Sequence, residues 1–180
     1  MFLDRDGVIT EDPPHYAHRV DQVKIISGSG DAIRLLNEAG YLVIVVSNQS
    51  GIARGYYQKR DFDLFNDEMK RQLSLDNAHI DAIYYCPHHP EGAIEKYRKA
   101  CTCRKPNPGM LIRAAERFHI DMSSSFLVGD KWTDILAGNA VHCRSILVLT
   151  GHGSEEERNN RGPAVHIAAD LSDAVKNFII

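Results

Sequence analysis

Nowhere in its 180 residues does the chain run apolar for the roughly 20 positions that a membrane-spanning helix needs, so no such span is expected. It also lacks a basic excess. Lys and Arg number 21 against 24 acidic residues, for a net charge of -3. That balance argues against a nucleic-acid partner. No basic segment followed by an apolar one opens the chain, so no secretory leader is predicted and a cytoplasmic protein is the expectation. Internal repeats and low-complexity tracts are missing as well. What remains is an ordinary globular composition, 43% hydrophobic and 25% charged, long enough for a single domain over 1–180 with a full core.

Cysteine is scarce but clustered. Of the four, Cys86, Cys101 and Cys103 share one short stretch, and only Cys143 lies outside it. In a cytoplasmic chain such clustering suggests metal binding more than disulfides. Cys86-x-His88 and Cys101-x-Cys103, with twelve residues between His88 and Cys101, supply three thiolates and an imidazole, the donor set of a closed structural zinc site. The loop has few apolar residues of its own, so a metal clip would order it. His89 competes with His88, and His88 is favoured because Cys-x-His then matches Cys-x-Cys. Cys143 is expected to pack.

Strand-like and helix-like segments alternate. Phe2-Leu3 reads as a strand running into an Asp4 loop. Tyr41 to Val46 is an unbroken β-branched run, the mark of a strand buried on both faces. Ile80 to Tyr85, Phe126 to Val128, Ser145 to Leu149 and a weak Val165 to Ala168 are further strands. Helices are predicted over Asp31 to Ala39, Gln58 to Leu75, Gly109 to Phe118 (started by Asn107), Lys131 to Ala140 and Ser172 to Ile179. Ser47 to Gly55 and 86–108 read as loops. This order predicts an α/β fold: a Rossmann-like, doubly wound, mostly parallel sheet with helices on both faces and a loop insertion over about 86–105.

Ligands in such sheets bind beyond the carboxyl ends of the strands. Asp4 and Asp6 follow the first strand, Ser47 and Asn48 the second, Cys86 through Lys105 the third and Asp130 the fourth. Any one of these groups is an ordinary turn residue. Their arrival at one edge argues for a site. Asp130 would face Asp4 and Asp6, with Asp134 one helical turn on as a further carboxylate near the metal. Two carboxylates about 5 Å apart repel by roughly 3 kcal/mol at an effective dielectric near 20, and a divalent cation removes that cost. All-oxygen ligands at strand ends suit Mg²⁺. Ser47 offers a hydroxyl, Lys105 a fixed charge and Arg104 a planar fork for phosphate or sugar oxygens. A carboxylate nucleophile among these groups makes a phosphoryl-transfer site with an aspartyl-phosphate intermediate on Asp4.

These residues resemble the haloacid dehalogenase-like phosphatase superfamily. Its four motifs match Asp4 to Gly7, Ser47, Lys105, and Gly129-Asp130 with Asp134, in order across nearly the whole chain. Ser-Asn-Gln-Ser-Gly-Ile-Ala-Arg-Gly (47–55), Tyr-Tyr-Cys-Pro-His-His-Pro (84–90), Cys-Thr-Cys-Arg-Lys-Pro (101–106) and Val-Gly-Asp-Lys (128–131) are similar to the heptose 1,7-bisphosphate 7-phosphatase family within it. That resemblance implies almost no cap domain, Zn²⁺ in the loop, and Mg²⁺ on Asp4, Asp130 and the carbonyl of Asp6. It implies Asp6 as general acid and then base, and Ser47 and Lys105 as holders of the phosphoryl group. Lys131 would approach the metal and phosphate, and Arg104 would recognise substrate. Asp12 to His15, Ser47-Asn48-Gln49-Ser50 and Arg54 would bind the sugar. The reaction would serve nucleotide-activated heptose and lipopolysaccharide biosynthesis. Ser47 stands where many relatives carry Thr, which keeps the hydroxyl, and Pro13-Pro14 would reshape the sugar pocket. The rival readings are a histidinol-phosphate phosphatase with the same motifs and a non-catalytic zinc-loop interaction domain. No long charged or apolar helix face stands out as an interface, so a monomer is expected, with a small sugar phosphate as its only partner.

Overall fold

The computed structural model describes residues 1–13, 16–159 and 165–180. Its parallel strands are β1 (Phe2–Leu3), β2 (Ile44–Asn48), β3 (Ala82–Cys86), β4 (Phe126–Gly129), β5 (Arg144–Val148) and β6 (His166–Ala168). They form one six-stranded sheet in the order β3-β2-β1-β4-β5-β6, the doubly wound arrangement. The helices are α1 (Ser29–Glu38), α2 (Ser50–Arg54), α3 (Lys59–Leu75), α4 (Gly109–Phe118), α5 (Trp132–Asn139), α6 (Gly153–Asn159) and α7 (Leu171–Ala174), the last running into a π-turn over Val175–Ile179. No helix among the described residues is long and apolar enough to cross a membrane.

The period of two along each strand divides the core into two layers. Leu3, Val43, Val45 and Val128 point to one face and pack on α1, α3 and α7 through Ile33, Leu36, Phe65, Met69 and Leu171. Phe2, Ile44, Val46 and Leu127 point to the other and pack on α4 and α5 through Met110, Leu111, Ala114 and Ala137. Cys143 is buried in that second layer as packing. Burying each such aliphatic side chain contributes about 1.5–3 kcal/mol before entropy is counted.

Several boundaries differ from the sequence reading. The second strand runs Ile44–Asn48 rather than 41–46, because its ladder partners begin at Phe2 and Ala82 and continue to Cys86. Ser47 and Asn48 are therefore its last two residues, not the loop after it. The loop expected over 47–55 contains α2, closed by Gly55 in the left-handed conformation with φ 79°. Asn107 does not cap α4. Its side chain donates instead to the Cys101 carbonyl at 2.8 Å, and Pro108 takes the cap position. Helix α6 carried no signal in the apolar pattern, since Gly153 is its only buried residue.

Between β1 and α1, and between β3 and α4, the described residues form only short 3₁₀ turns, at Val20–Gln22 and Glu95–Tyr97. Among the described residues, the carboxyl edge of the sheet is thus covered by these two loops and the short helix α2. The order reverses between β1 and β4, which lie side by side, so Asp4 and Asp130 emerge at the crevice where ligands of doubly wound sheets bind.

Candidate active site

Asp4 leaves β1 with its backbone N–H still donating to the Val128 carbonyl, 2.9 Å, so the strand fixes its direction. It is 6% exposed. Its Oδ1 accepts the Arg5 N–H at 2.7 Å and lies 3.1 Å from Lys105 Nζ. No donor among the described residues reaches Oδ2. Lys105 is buried too. Its ammonium donates to the Val46 carbonyl, 2.7 Å, and stands 2.5 Å from Asp134 Oδ1. That last contact is an ion pair rather than an aligned hydrogen bond.

Asp4, Asp130 and Asp134 each place one carboxylate oxygen within 4.8 Å of the others, and all three are buried. Asp130 Oδ2 accepts the His152 N–H at 2.8 Å, whereas its Oδ1 is buried without a partner. Both Asp134 oxygens are engaged, Oδ2 by the Lys131 N–H at 3.1 Å and Oδ1 by Lys105. Burial first, then Asp4 and Asp134 nearby, push the Asp130 carboxyl up to about 8, against the pull of Lys131 and the His152 N–H. Burial and then Asp4 push Asp134 up to about 6, against the pull of Lys105. Burial opposes the charge on Lys105, but Asp134 and Asp4 outweigh it and raise its affinity for its proton. Three carboxylates around one buried ammonium leave negative charge uncompensated. The orphaned Asp130 oxygen beside Asp4 fits a hard cation.

The carboxylate of Asp6 stands apart from this cluster. Arg5 grips it with Nε and Nη2 at 2.9 and 3.0 Å, and Gln49 Nε2 donates to it at 2.8 Å. The same Gln49 nitrogen reaches Ser47 Oγ at 2.8 Å, and Tyr57 donates to its Oε1 at 2.6 Å. Arg5 is 1% exposed, with its guanidinium 4.3 Å from the Phe65 ring centre and donating to Asn66 at 3.3 Å. Gly7 turns the chain away at φ +84°, and a Cβ there would stand 2.2 Å from Asp130 Oδ2, so only glycine allows the first loop to close on the fourth strand end.

A cavity of about 440 Å³ opens above these groups, in the size range of a small-ligand site. Asp4, Asp6, Asp12, Ser47, Asn48, Gln49, Ser50, Arg104, Lys105 and Lys131 all line it. Asn48 faces Lys105 as well as the cavity: Nδ2 donates to the Lys105 carbonyl and Oδ1 accepts the Lys105 N–H, both at 3.0 Å. Arg54 lies outside the lining, with Nη2 3.2 Å from His89 Nε2. His15 and Pro14 lie outside the described residues. Tyr16, Tyr57 and Thr133 line the cavity without having been singled out, since an isolated Tyr or Thr carries no motif. Arg5 was missed for the opposite reason: it sat inside a motif read only for its aspartates.

Beside the cavity, Cys86, His88, Cys101 and Cys103 gather. The Sγ atoms lie 3.2–3.5 Å apart and His88 Nδ1 lies 3.4 Å from Cys103 and 3.7 Å from Cys86. A tetrahedron with Zn–S bonds of ~2.3 Å has edges of about 3.8 Å, so the four donors are spaced to hold one such ion. His89 is turned away, accepting the Glu91 N–H on Nδ1 at 3.1 Å.

A family model described as HAD-hydrolase-like matches residues 102–174. A D-glycero-β-D-manno-heptose-1,7-bisphosphate 7-phosphatase of Salmonella typhi is 45% identical over 98% of this chain and 94% of its own length. The chain belongs to the heptose 1,7-bisphosphate 7-phosphatase family of the haloacid dehalogenase-like hydrolases. The Pasteurella multocida member of that family is 42% identical over 99% of this chain and 97% of its own. A crystal structure of D,D-heptose 1,7-bisphosphate phosphatase from B. bronchiseptica, complexed with magnesium and phosphate, superposes with a TM-score of 0.89. It is 33% identical and covers 97% of this chain and 94% of that one. The heptose bisphosphate phosphatase family therefore accounts for the fold as well as the motifs.

The charge balance has a measurable consequence. The Asp130 carboxyl, held near 8 when folded, keeps a proton that the unfolded chain has already lost. Its contribution to stability is full below its unfolded value of about 4 and declines as pH rises through about 8. Without divalent cations, the melting temperature is expected to fall from about pH 5 to 8, and the rise on adding Mg²⁺ to grow across the same interval. A Mg²⁺ response that is flat with pH would contradict this account of Asp130.

Proposed function

We propose that this chain hydrolyses the 7-phosphate of D-glycero-D-manno-heptose 1,7-bisphosphate through an aspartyl phosphate on Asp4, acting as a cytoplasmic monomer. The observation that carries the reading is the placement of Asp4 beside Lys105, clustered with Asp130, one of whose oxygens is unpartnered, and lining a ligand-sized cavity. The names of the relatives favour the β anomer.

Asp4 Oδ2, which takes no donor from the described residues, attacks the 7-phosphorus while Oδ1 stays anchored on the Arg5 N–H and Lys105. The bond from phosphorus to sugar oxygen breaks, and Asp6, entering the step protonated and turned from Arg5 toward the cavity it lines, gives its proton to that oxygen. Asp6 then takes a proton from water as the water oxygen attacks phosphorus. The Asp4–phosphorus bond breaks, releasing inorganic phosphate and restoring both carboxyl groups. Lys105 and Ser47 hold the phosphoryl oxygens, and Gln49 fixes Asp6 relative to Ser47. Asp4, Asp130 and the Asp6 carbonyl would hold Mg²⁺, which when bound neutralises charge on the transferring phosphoryl group. Asp134 serves this site from behind by fixing Lys105. Asp12, Ser50, Arg104 and Lys131 line the side open to the sugar. Cys86, His88, Cys101 and Cys103 would hold a structural Zn²⁺.

Asp4→Asn is expected to abolish turnover, since an amide does not attack phosphorus, while leaving the melting temperature within a few degrees. Substantial residual activity would remove Asp4 as nucleophile. The deciding comparison is kcat/KM for the heptose bisphosphate against histidinol phosphate, with a strong preference for the former expected and a reversed order sinking the assignment. Freshly purified protein is expected to carry one zinc per chain. Cys101→Ser should lose it with a clear drop in melting temperature, and elemental analysis without zinc would refute the site.

A further inference from the structure

The turn 150–152, which follows β5, belongs to none of the four strand-end groups yet is fastened to them. Thr150 Oγ1 donates to the Gly7 carbonyl at 2.6 Å. Gly151 has φ +55°, and a Cβ there would stand 2.3 Å from Asp130 Oδ2 and 2.6 Å from Gly7 Cα, so the turn presses on both loops at once. The His152 backbone N–H donates to Asp130 Oδ2. Its half-exposed ring reaches back the other way, with Nε2 3.2 Å from Asp12 Oδ2, an ion-pair contact rather than an aligned hydrogen bond.

Asp12 stands on the first loop and lines the cavity, whereas His152 does not. The same Asp12 oxygen accepts Lys131 Nζ, also at 3.2 Å. Lysine is a weak anchor by itself, a point charge on a flexible stem. The imidazole is rigid, and its own backbone is locked onto Asp130. The geometry points to His152 as a positioning residue for the sugar: through Asp12 it holds the first loop at the height the substrate meets. This rests on the sugar-phosphatase reading of the cavity.

The test is the kinetics of His152→Ala and His152→Gln with the heptose bisphosphate and with p-nitrophenyl phosphate, which has no sugar to meet the first loop. Losing this contact with the Asp12 carboxylate should raise KM for the bisphosphate about fivefold in His152→Ala. His152→Gln, whose amide can reach the same carboxylate, should recover most of it. With p-nitrophenyl phosphate, kcat/KM should change less than about twofold, and in an Asp12→Asn background His152→Ala should add nothing further. An equal loss on both substrates, an unchanged KM for the bisphosphate, or full additivity with Asp12→Asn would overturn the role. Wild-type protein that does not turn over the bisphosphate would sink the proposed function instead. The His152 comparison would then be made with the sugar phosphate the protein does hydrolyse.

Discussion

A buried ammonium set among three buried carboxylates organises the carboxyl edge of this molecule. Lys105 touches Asp4 and Asp134, and Val46 takes its remaining hydrogen bond. Removing the ammonium would cost roughly 3–5 kcal/mol, because buried carboxylates would be left without it, whereas the lysine keeps a partner if one carboxylate is lost. The lysine therefore has to be delivered accurately. Its backbone is clamped from β2 by both polar atoms of Asn48, and its approach is set two residues earlier by Cys103. The cysteine loop thus joins the buried charge cluster through the chain: Cys101 and Cys103, which gather with Cys86 and His88, lie only two to four residues before Lys105.

The sheet supplies the other half of the placement. Reversal of strand order between β1 and β4 brings residues 4 and 130 to adjacent strand ends, across most of the chain length. Gly7 and Gly151 then let two loops close on Asp130, where any side chain would collide with its carboxylate. Close approach of two loop glycines is in this way enough to enclose the three carboxylates at the sheet edge.

Much of this was legible in the amino-acid pattern because it rests on periods and spacings. The β-branched run at 43–46 announces a strand buried on both faces, and the strand-end rule then gathers Asp4, Ser47, Lys105 and Asp130 from distant segments. Cys86-x-His88 and Cys101-x-Cys103 are equally explicit, since few other arrangements use that donor set. What the pattern did not carry depends on direction. That Asp6 turns its carboxylate toward Arg5 and Gln49, leaving Asp134 rather than Asp6 beside Asp4, follows from a buried guanidinium stacked on Phe65, and no spacing encodes it. Arg54 shares a motif with Ser50 but lies on the far turn of α2, where it meets His89. Helix α6 and the turn before it are polar, so hydrophobic periodicity is silent there.

The arrangement also explains why the site is poorly balanced as it stands. Local choices in a folded chain usually agree with one another, and violations concentrate where function needs them. Here the violation is specific: Asp130 is wholly buried, one of its oxygens has no partner, and its carboxyl is driven toward neutrality. Replacing it with an apolar residue would relieve that strain, as buried ionic groups often permit. The same replacement would remove a buried oxygen of the Asp4 cluster that no donor among the described residues engages. The chain accepts the electrostatic cost at a position where a divalent cation would cancel it, so the strain on Asp130 and its fitness for the proposed phosphoryl transfer are two consequences of one cluster.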